Sequence, residues 1–196
     1  MGTRAVSKPA PKDSAVRIRT RARPADLRAL RRLVASTGVF YPEERAIALE
    51  LLQERLRRGA KSGYEFIFAE RRGELVGYCA WGAVPLTKDS FDLYWIAVAP
   101  SAQGLGIGRR LMALAERAVA RRGGGRLYVE TSSRAAYART RGFYLAAGYL
   151  RVARLADFYA PRDHKIVFCK TVVRRERAAA PPRRSNRRAY SSRESR

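Results

Sequence analysis

Glycines alternate with apolar residues in the segment Gln103–Arg110, which lies between a strand-like run and a helix-like run. Residues 91–98 are mostly apolar and are followed by Ala-Pro, which ends the predicted strand. Residues 111–120 are rich in alanine and leucine and predict a helix. The backbone N–H groups of such a turn point outward, and the positive end of the helix dipole adds to them. The segment is therefore predicted to bind a phosphate group.

Two well-known phosphate-binding motifs do not fit this segment. The P-loop requires a lysine after its last glycine, and no such lysine is present. The dinucleotide-binding fingerprint requires its third glycine where Arg109 stands, and it normally follows the first strand of a domain. The pattern that is present is Gln-x-x-Gly-x-Gly, from Gln103 to Gly108.

Apolar periodicity along the rest of the chain predicts strands and helices in the order β-α-α-β-β-β-α-β-α-β-β. A strand, a helix and a second strand in succession around the glycine turn imply one parallel strand pair. We expect strands at 16–20, 64–70, 74–81, 91–98, 126–131, 149–155 and 165–172, and helices beginning at Pro24, at Pro42, near Ile107 and near Tyr137.

The chain is strongly basic, with 41 lysines and arginines against 17 acidic residues and a formal net charge of +24 over 196 residues. Residues 1–13 read as a disordered basic leader and residues 174–196 as a disordered arginine-rich tail, which leaves a domain at 14–173. Such a charge favours weak binding to polyanions through the tail. A coding bias toward arginine explains the charge equally well.

Composition argues against several other classes of protein. Cys79 and Cys169 each stand in an apolar run, which favours buried, reduced thiols over a disulfide. His164 is the only histidine, so no zinc-binding spacing exists and no metal is expected. No apolar stretch is long enough to span a membrane, and no apolar signal core is seen near the N-terminus. A cytoplasmic protein without membrane contact is therefore expected.

The pattern Gln103–Gly108 after a strand, together with Phe143-Tyr144 and Gly148-Tyr149, resembles the GNAT superfamily of acetyl-coenzyme A-dependent N-acyltransferases. The resemblance covers roughly residues 15–173. It implies an α/β (α+β) fold with a central mixed, twisted sheet of about seven strands flanked by about four helices. Three segments resemble one bacterial subgroup more closely: Glu130–Ser133, Tyr137–Tyr144 and Asp157–Lys165.

The resemblance implies acetyl-coenzyme A (acetyl-CoA) as the acetyl donor. Backbone N–H groups from Leu105 to Arg110 are expected to hold its pyrophosphate, with glycines where a β-carbon blocks close approach or resists the turn's dihedral angles. The pantetheine arm is expected to lie along strand 91–98 like an added strand. The expected cofactor-binding residues are Ile96, Ala97, Val98, Gln103, Gly104, Leu105, Gly106, Ile107, Gly108, Arg109 and Arg110.

Two residues are expected to carry the proton transfers that acyl transfer to an amine requires. Tyr144 stands where the superfamily places the general acid that protonates the leaving thiolate; the alternative is an aromatic core residue. Glu130 ends a predicted strand beside the cofactor cleft and suits a general base, acting directly or through water. The alternative for Glu130 is a structural hydrogen bond to Ser132, to Ser133 or to a neighbouring helix.

Acidic residues are scarce, so Asp157 and Asp163 on either side of Tyr159 are candidates for binding a cationic acceptor. They could equally cap turns or pair with arginines. Glu43 and Glu44, at the start of the second helix, could reach the acceptor site but suit the helix dipole as well.

The leading expectation is an N-acetyltransferase that moves the acetyl group from acetyl-CoA to a primary amine of a small molecule, protein or peptide, by direct attack in a ternary complex. The alternatives are a basic nucleic-acid-associated protein and an acetyltransferase acting on an RNA- or ribosome-bound amine. The sequence leaves the acceptor open, and it also leaves open whether the chain forms a homodimer.

Overall fold

The computed structural model describes residues 15–173, and the expected leader and tail lie outside that range. The described residues form seven strands and four helices in the order that the sequence predicts. These are β1 (Arg17–Arg19), α1 (Asp26–Ser36), α2 (Pro42–Arg58), β2 (Glu65–Arg71), β3 (Glu74–Ala83), β4 (Ser90–Val98), α3 (Ile107–Arg121), β5 (Gly124–Ser132), α4 (Ala138–Ala146), β6 (Leu150–Ala160) and β7 (Asp163–Val173).

All seven strands join one sheet in the order β1-β2-β3-β4-β5-β7-β6. Neighbours are antiparallel except β4 and β5, which are joined through α3 and pair in parallel, as the sequence predicts. The parallel pairing ends at Leu93 and Val129. β4 continues to Val98 and β5 to Ser132 without pairing to each other, so the sheet opens between them.

The two faces of the sheet carry separate apolar cores. On one face, α1 and α2 pack Leu30, Val34 and Leu52 against Phe66 and Phe68. On the other face, α3 packs Ile107, Leu111 and Met112 against alternate residues of the central strands, among them Leu93, Val129 and Phe168. This division follows from the period of two along a strand and the apolar stripe on each helix.

The segment between the last two predicted strands differs from the expected loop. β6 and β7 extend to form a hairpin that turns at Pro161 and Arg162 and includes the acidic residues predicted to lie in a loop. A register shift between Leu155 and Ala160 accommodates the extra residues. Asp157 and Arg162 adopt φ of 50° and 66°. These are left-handed values, which non-glycine residues seldom adopt and which the sequence does not indicate.

Both cysteines are unpaired, Cys79 buried in β3 and Cys169 partly buried in β7. Burial raises the pKa of the Cys79 thiol. No group of histidine, cysteine and acidic side chains suitable for a metal ion occurs within residues 15–173. Among the helices of the same range, none has both the length and the apolar character needed to cross a membrane.

Candidate active site

The opening between β4 and β5 is the floor of a cleft of about 790 Å³. Its walls are the end of β4, the end of β5, the connection between α1 and α2, the start of α4 and the β6–β7 hairpin. These five parts belong to four separate stretches of the chain, because the end of β5 leads directly into the start of α4. They meet where β4 and β5 separate.

The N-terminus of α3 lies at the end of β4 and suits a phosphate. Gly106 caps the helix with a φ of 74°, and Gly104 has a φ of 79°. A β-carbon at either position meets no atom of residues 15–173 within 4 Å, so the left-handed dihedral angle, not crowding, is what requires glycine. No side chain in the described part of the chain caps the helix, and the backbone N–H of Arg110 already bonds to Gly106. The N–H groups of the first turn therefore remain for an anion.

The side chains of this turn are used in different ways. Arg110 donates a hydrogen bond to the carbonyl of Val16 at 3.0 Å, while Arg109 is exposed. Gln103 donates to the carbonyl of Val98 at 3.4 Å and lines the cleft. Ile107 is buried in the core. The turn therefore leaves its backbone N–H groups to bind a ligand. Two arginines stand at the start of the helix, where acidic residues are usual because they complement the helix dipole.

Residues 96–98 of β4 all border the cleft. Among the described residues, this part of the strand pairs only with β3, because the β4–β5 pairing ends at Leu93 and Val129. Its free edge can pair with an extended ligand.

Tyr144 is both a core residue and a cleft residue. Its ring packs against Tyr149 and Phe168, with centroids 6.1 and 5.7 Å away, and only 5 % of the residue is exposed. It also lines the cleft. Burial, followed by the nearby Tyr137, raises the pKa of the Tyr144 phenol, which therefore keeps its proton at neutral pH.

Glu130 lies at the edge of the cleft with its side chain half exposed. Its carboxylate is 2.7 Å from the ammonium group of Lys165, which itself lies 3.9 Å from the centre of the Phe158 ring. Glu130 therefore makes a structural contact, but its partner is a lysine of β7 and not a serine or a helix. It retains access to the cleft.

Tyr144 and Glu130 approach the cleft from opposite faces of the sheet. Tyr144 belongs to the same core as Val129. Because side chains alternate along a strand, Glu130 points to the face opposite Val129. A group lying in the gap between β4 and β5 thus has an acid on one side and a carboxylate on the other.

The predicted acceptor residues separate into two groups. Tyr159 and Asp163 line the cleft, whereas Asp157 does not. Asp157 accepts a hydrogen bond from the Arg162 backbone N–H at 2.7 Å, and its own N–H donates to His164 Nδ1 at 2.9 Å. Both contacts stabilise the part of the hairpin where the register shifts, between Leu155 and Ala160.

Arg134 is a cleft residue that the sequence did not single out. Its guanidinium lies 4.3 Å from the ring centre of Tyr41 and 5.1 Å from that of Tyr137, and it donates to the Tyr41 hydroxyl at 2.6 Å. Its Nε lies 3.4 Å from Asp163, which also accepts a hydrogen bond from Ser132. Arg134 thereby joins the α1–α2 connection to the opposite wall of the cleft. Because the chain contains so many basic residues, the sequence did not distinguish Arg134 from the other arginines.

Acidic side chains border the acceptor side of the cleft and contribute to the pKa shifts of two tyrosines. Burial first, and then Glu130, Asp163 and Glu44, raise the pKa of Tyr159 to about 12. Burial and Glu44 likewise raise the pKa of Tyr137 to about 12. Glu44 also accepts a hydrogen bond from the Tyr41 N–H at 2.7 Å, so it caps α2 while lining the cleft.

Asp92, one strand away from Glu130, was also missed by the sequence analysis. Burial raises the pKa of its carboxyl group, and the negative charge of Glu130 adds to this effect while Lys165 opposes it. Asp92, Glu130 and Lys165 therefore form one electrostatic group, with Asp92 and Glu130 on the face of the sheet opposite α3.

Known proteins share this architecture. A solved structure from Desulfovibrio desulfuricans, described as a GNAT-family acetyltransferase, is 44% identical, with a TM-score of 0.79 over 81% of this chain and 100% of that one. An aminoglycoside 6'-N-acetyltransferase solved with coenzyme A shares the fold, with a TM-score of 0.63 and 21% identity over 83% of this chain and 99% of its own.

A curated relative, a mycothiol acetyltransferase from Streptomyces bingchenggensis, is 36% identical over 93 residues, or 46% of this chain. The match spans only 30% of that relative's length. These relatives give no support to the expectation of a nucleic-acid-associated protein. A family model described as the acetyltransferase (GNAT) family matches residues 27–148. The chain therefore belongs to the GNAT family of acetyltransferases and is an acyltransferase.

Proposed function

We propose that this chain transfers the acetyl group of acetyl-CoA directly to a primary amine in a ternary complex. The observation that carries the proposal is the N-terminus of α3, which follows the cleft-lining end of β4, with Tyr144 and Glu130 on opposite faces of the β4–β5 gap. The turn and the free edge of β4 suit a pyrophosphate and an extended arm. When bound, acetyl-CoA supplies an activated thioester.

Each residue of the cleft then has a chemical task. Glu130 takes a proton from the acceptor ammonium, directly or through water, so that the free amine can attack. Tyr144 gives its proton to the departing thiolate. A free phenol has a pKa of about 10 and a free thiol one of about 8.5, so this transfer is already uphill. Burial raises the pKa of Tyr144 further, so the transfer depends on close contact between the two groups. A backbone N–H of residues 96–98 stabilises the negative charge that develops on the thioester oxygen.

The acceptor is an amine that is cationic in solution. Glu44, Glu130 and Asp163 border the side of the cleft that it enters, and each of them adds, after burial, to the raised pKa of Tyr159. A small-molecule amine and a protein or peptide amine both satisfy this chemistry. We further propose that the enzyme works in the cytoplasm and that residues 174–196 add only weak, salt-sensitive attraction to polyanions.

A screen of primary amines with acetyl-CoA, followed by free-thiol release, tests the proposal. A Gly106→Asp variant tests the cofactor site, because a carboxylate at the helix N-terminus repels a phosphate. We expect Gly106→Asp to abolish acetyl-CoA binding measured by calorimetry, and unchanged binding refutes the cofactor assignment. Deletion of residues 174–196 should leave the rate on a small amine unchanged, whereas a large loss would point to a polyanionic target.

A further inference from the structure

Thr131 differs from the other three residues of the segment Glu130–Ser133. The others contact β7: Glu130 pairs with Lys165 at 2.7 Å, Ser132 donates to Asp163, and Ser133 accepts a hydrogen bond from the His164 N–H at 2.8 Å. The Thr131 hydroxyl has no hydrogen-bond partner among residues 15–173.

Burial makes this lack of a partner significant. Thr131 is 6 % exposed, and its Oγ1 is withdrawn from solvent. A buried hydroxyl without a partner destabilises a folded protein, so each such group in a native structure needs a reason. Two other buried polar atoms of the described residues lack partners, Arg71 Nε and Tyr78 Oη, but neither residue lines the cleft.

Thr131 lies at the point where the sheet opens. It is two residues beyond Val129, the last residue of β5 that pairs with β4. Two residues along a strand share a face, so Thr131 points to the same side as Val129 and Tyr144. Thr131 also lines the cleft, between the free edge of β4 and the start of α4.

The buried hydroxyl must turn toward the cleft to meet a ligand there. Rotation about the Cα–Cβ bond of a threonine moves its hydroxyl from one staggered position to another. The required movement is one rotamer change at the wall of the cleft.

We propose that the Thr131 hydroxyl donates a hydrogen bond to the thioester carbonyl oxygen of bound acetyl-CoA. This inference rests on the proposed function and adds a second donor to the expected backbone N–H of residues 96–98. The two donors lie on the two walls of the gap, and a carbonyl oxygen has lone pairs for both. The hydroxyl lacks a protein partner because its partner arrives with the donor.

The hydrogen bond strengthens as the reaction proceeds. Negative charge grows on the thioester oxygen when the amine attacks, and a donor already in place stabilises that charge. Loss of the hydroxyl is therefore expected to lower the rate of acetyl transfer more than the affinity for acetyl-CoA.

Three variants isolate the hydroxyl. Thr131→Val replaces it with a methyl group of similar shape, and Thr131→Ser keeps it. Thr171→Val makes the same change at an exposed position of β7 outside the cleft, as a control for the preference of valine for strands. Thermal unfolding of the free protein, calorimetry with acetyl-CoA and with coenzyme A, and steady-state kinetics are measured for each.

We expect Thr131→Val to raise the melting temperature by a few degrees relative to Thr171→Val, because it removes an unsatisfied polar group. Its affinity for acetyl-CoA should fall about tenfold and that for coenzyme A should not change. Its kcat/KM should fall about a hundredfold, and Thr131→Ser should recover most of this loss.

Each contrary result refutes a different part of the proposal. A lower melting temperature for Thr131→Val overturns the premise that the hydroxyl is unsatisfied. An equal loss of affinity for acetyl-CoA and coenzyme A, or no loss of either affinity or rate, overturns the contact with the thioester oxygen. Failure of the unaltered protein to bind acetyl-CoA contradicts the proposed function instead.

Discussion

The Glu130 carboxylate lies 2.7 Å from the Lys165 ammonium group, so the proposed general base is ion-paired across β5 and β7. Lys165 is mostly buried, and Glu130 is half exposed toward the cleft. The lysine therefore fixes the carboxylate at the border of the cleft while leaving it open to an acceptor.

Replacing Glu130 with glutamine should remove proton acceptance and keep the shape of the side chain. We expect kcat to fall by a factor of about 10²–10⁴, the usual contribution of a general base. The melting temperature should change little, because the glutamine amide oxygen can still accept a hydrogen bond from the mostly buried Lys165. Steady-state kinetics and thermal unfolding measure the two effects. An unaltered kcat would leave Glu130 with a structural role only.

Lys165→Met should lower kcat about tenfold, because a carboxylate no longer held in place spends less time in the reactive position. Lys165→Arg keeps the ion pair and should retain most of the activity. The comparison uses kcat at saturating amine. If the two variants lose activity equally, the ion pair does not position Glu130.

Tyr144→Phe should lower kcat about a hundredfold or more while leaving acetyl-CoA affinity unchanged, because only the proton donor is removed. The active form of the acid is the neutral phenol. Its pKa is raised by burial, so the alkaline loss of activity due to Tyr144 should begin above pH 10, the value of a free tyrosine. Calorimetry and a pH profile check these points. A Tyr144-dependent loss of activity centred below pH 10 would contradict the assignment.

Gly106 and Gly108 should respond in opposite ways to alanine. At Gly106, with a φ of 74°, alanine should lower the free energy of unfolding by about 1–2 kcal/mol. Gly108 lies inside α3, where a β-carbon meets the Phe143 ring at an ordinary 3.4 Å, and alanine should be neutral or stabilising by up to about 1 kcal/mol. Denaturant unfolding measures both values. Equal effects would mean that the left-handed turn is not required.

Arg134→Lys should raise KM for the amine several-fold with a smaller effect on kcat. The guanidinium contacts two aromatic rings and a hydroxyl, and a lysine cannot reproduce that planar contact. Arg151→Lys, on the exposed strand β6, is the matched control. An unchanged KM at Arg134 would show that the α1–α2 connection keeps its position without this contact.

Much of the fold could be predicted from the sequence because its determinants are local. The apolar period of α3, the glycines before it and the strand ending at Val98 are each encoded within a few residues. Both strands of the β6–β7 hairpin were predicted, but their extension toward the turn was missed because it depends on left-handed Asp157 and Arg162, which have no local signal. The contacts of Glu130 with Lys165 and of Tyr41 with Arg134 join distant positions, and sequence periodicity carries no information about such pairs.

The central claim is direct transfer from acetyl-CoA to an amine bound in the same cleft. Initial rates of thiol release, measured over crossed concentrations of acetyl-CoA and of an amine identified in the screen, test it most directly. We predict intersecting double-reciprocal lines, with one thiol released for each N-acetylated amine found by mass spectrometry. Parallel lines, or an acetyl group recovered on the protein after incubation without amine, would contradict the account.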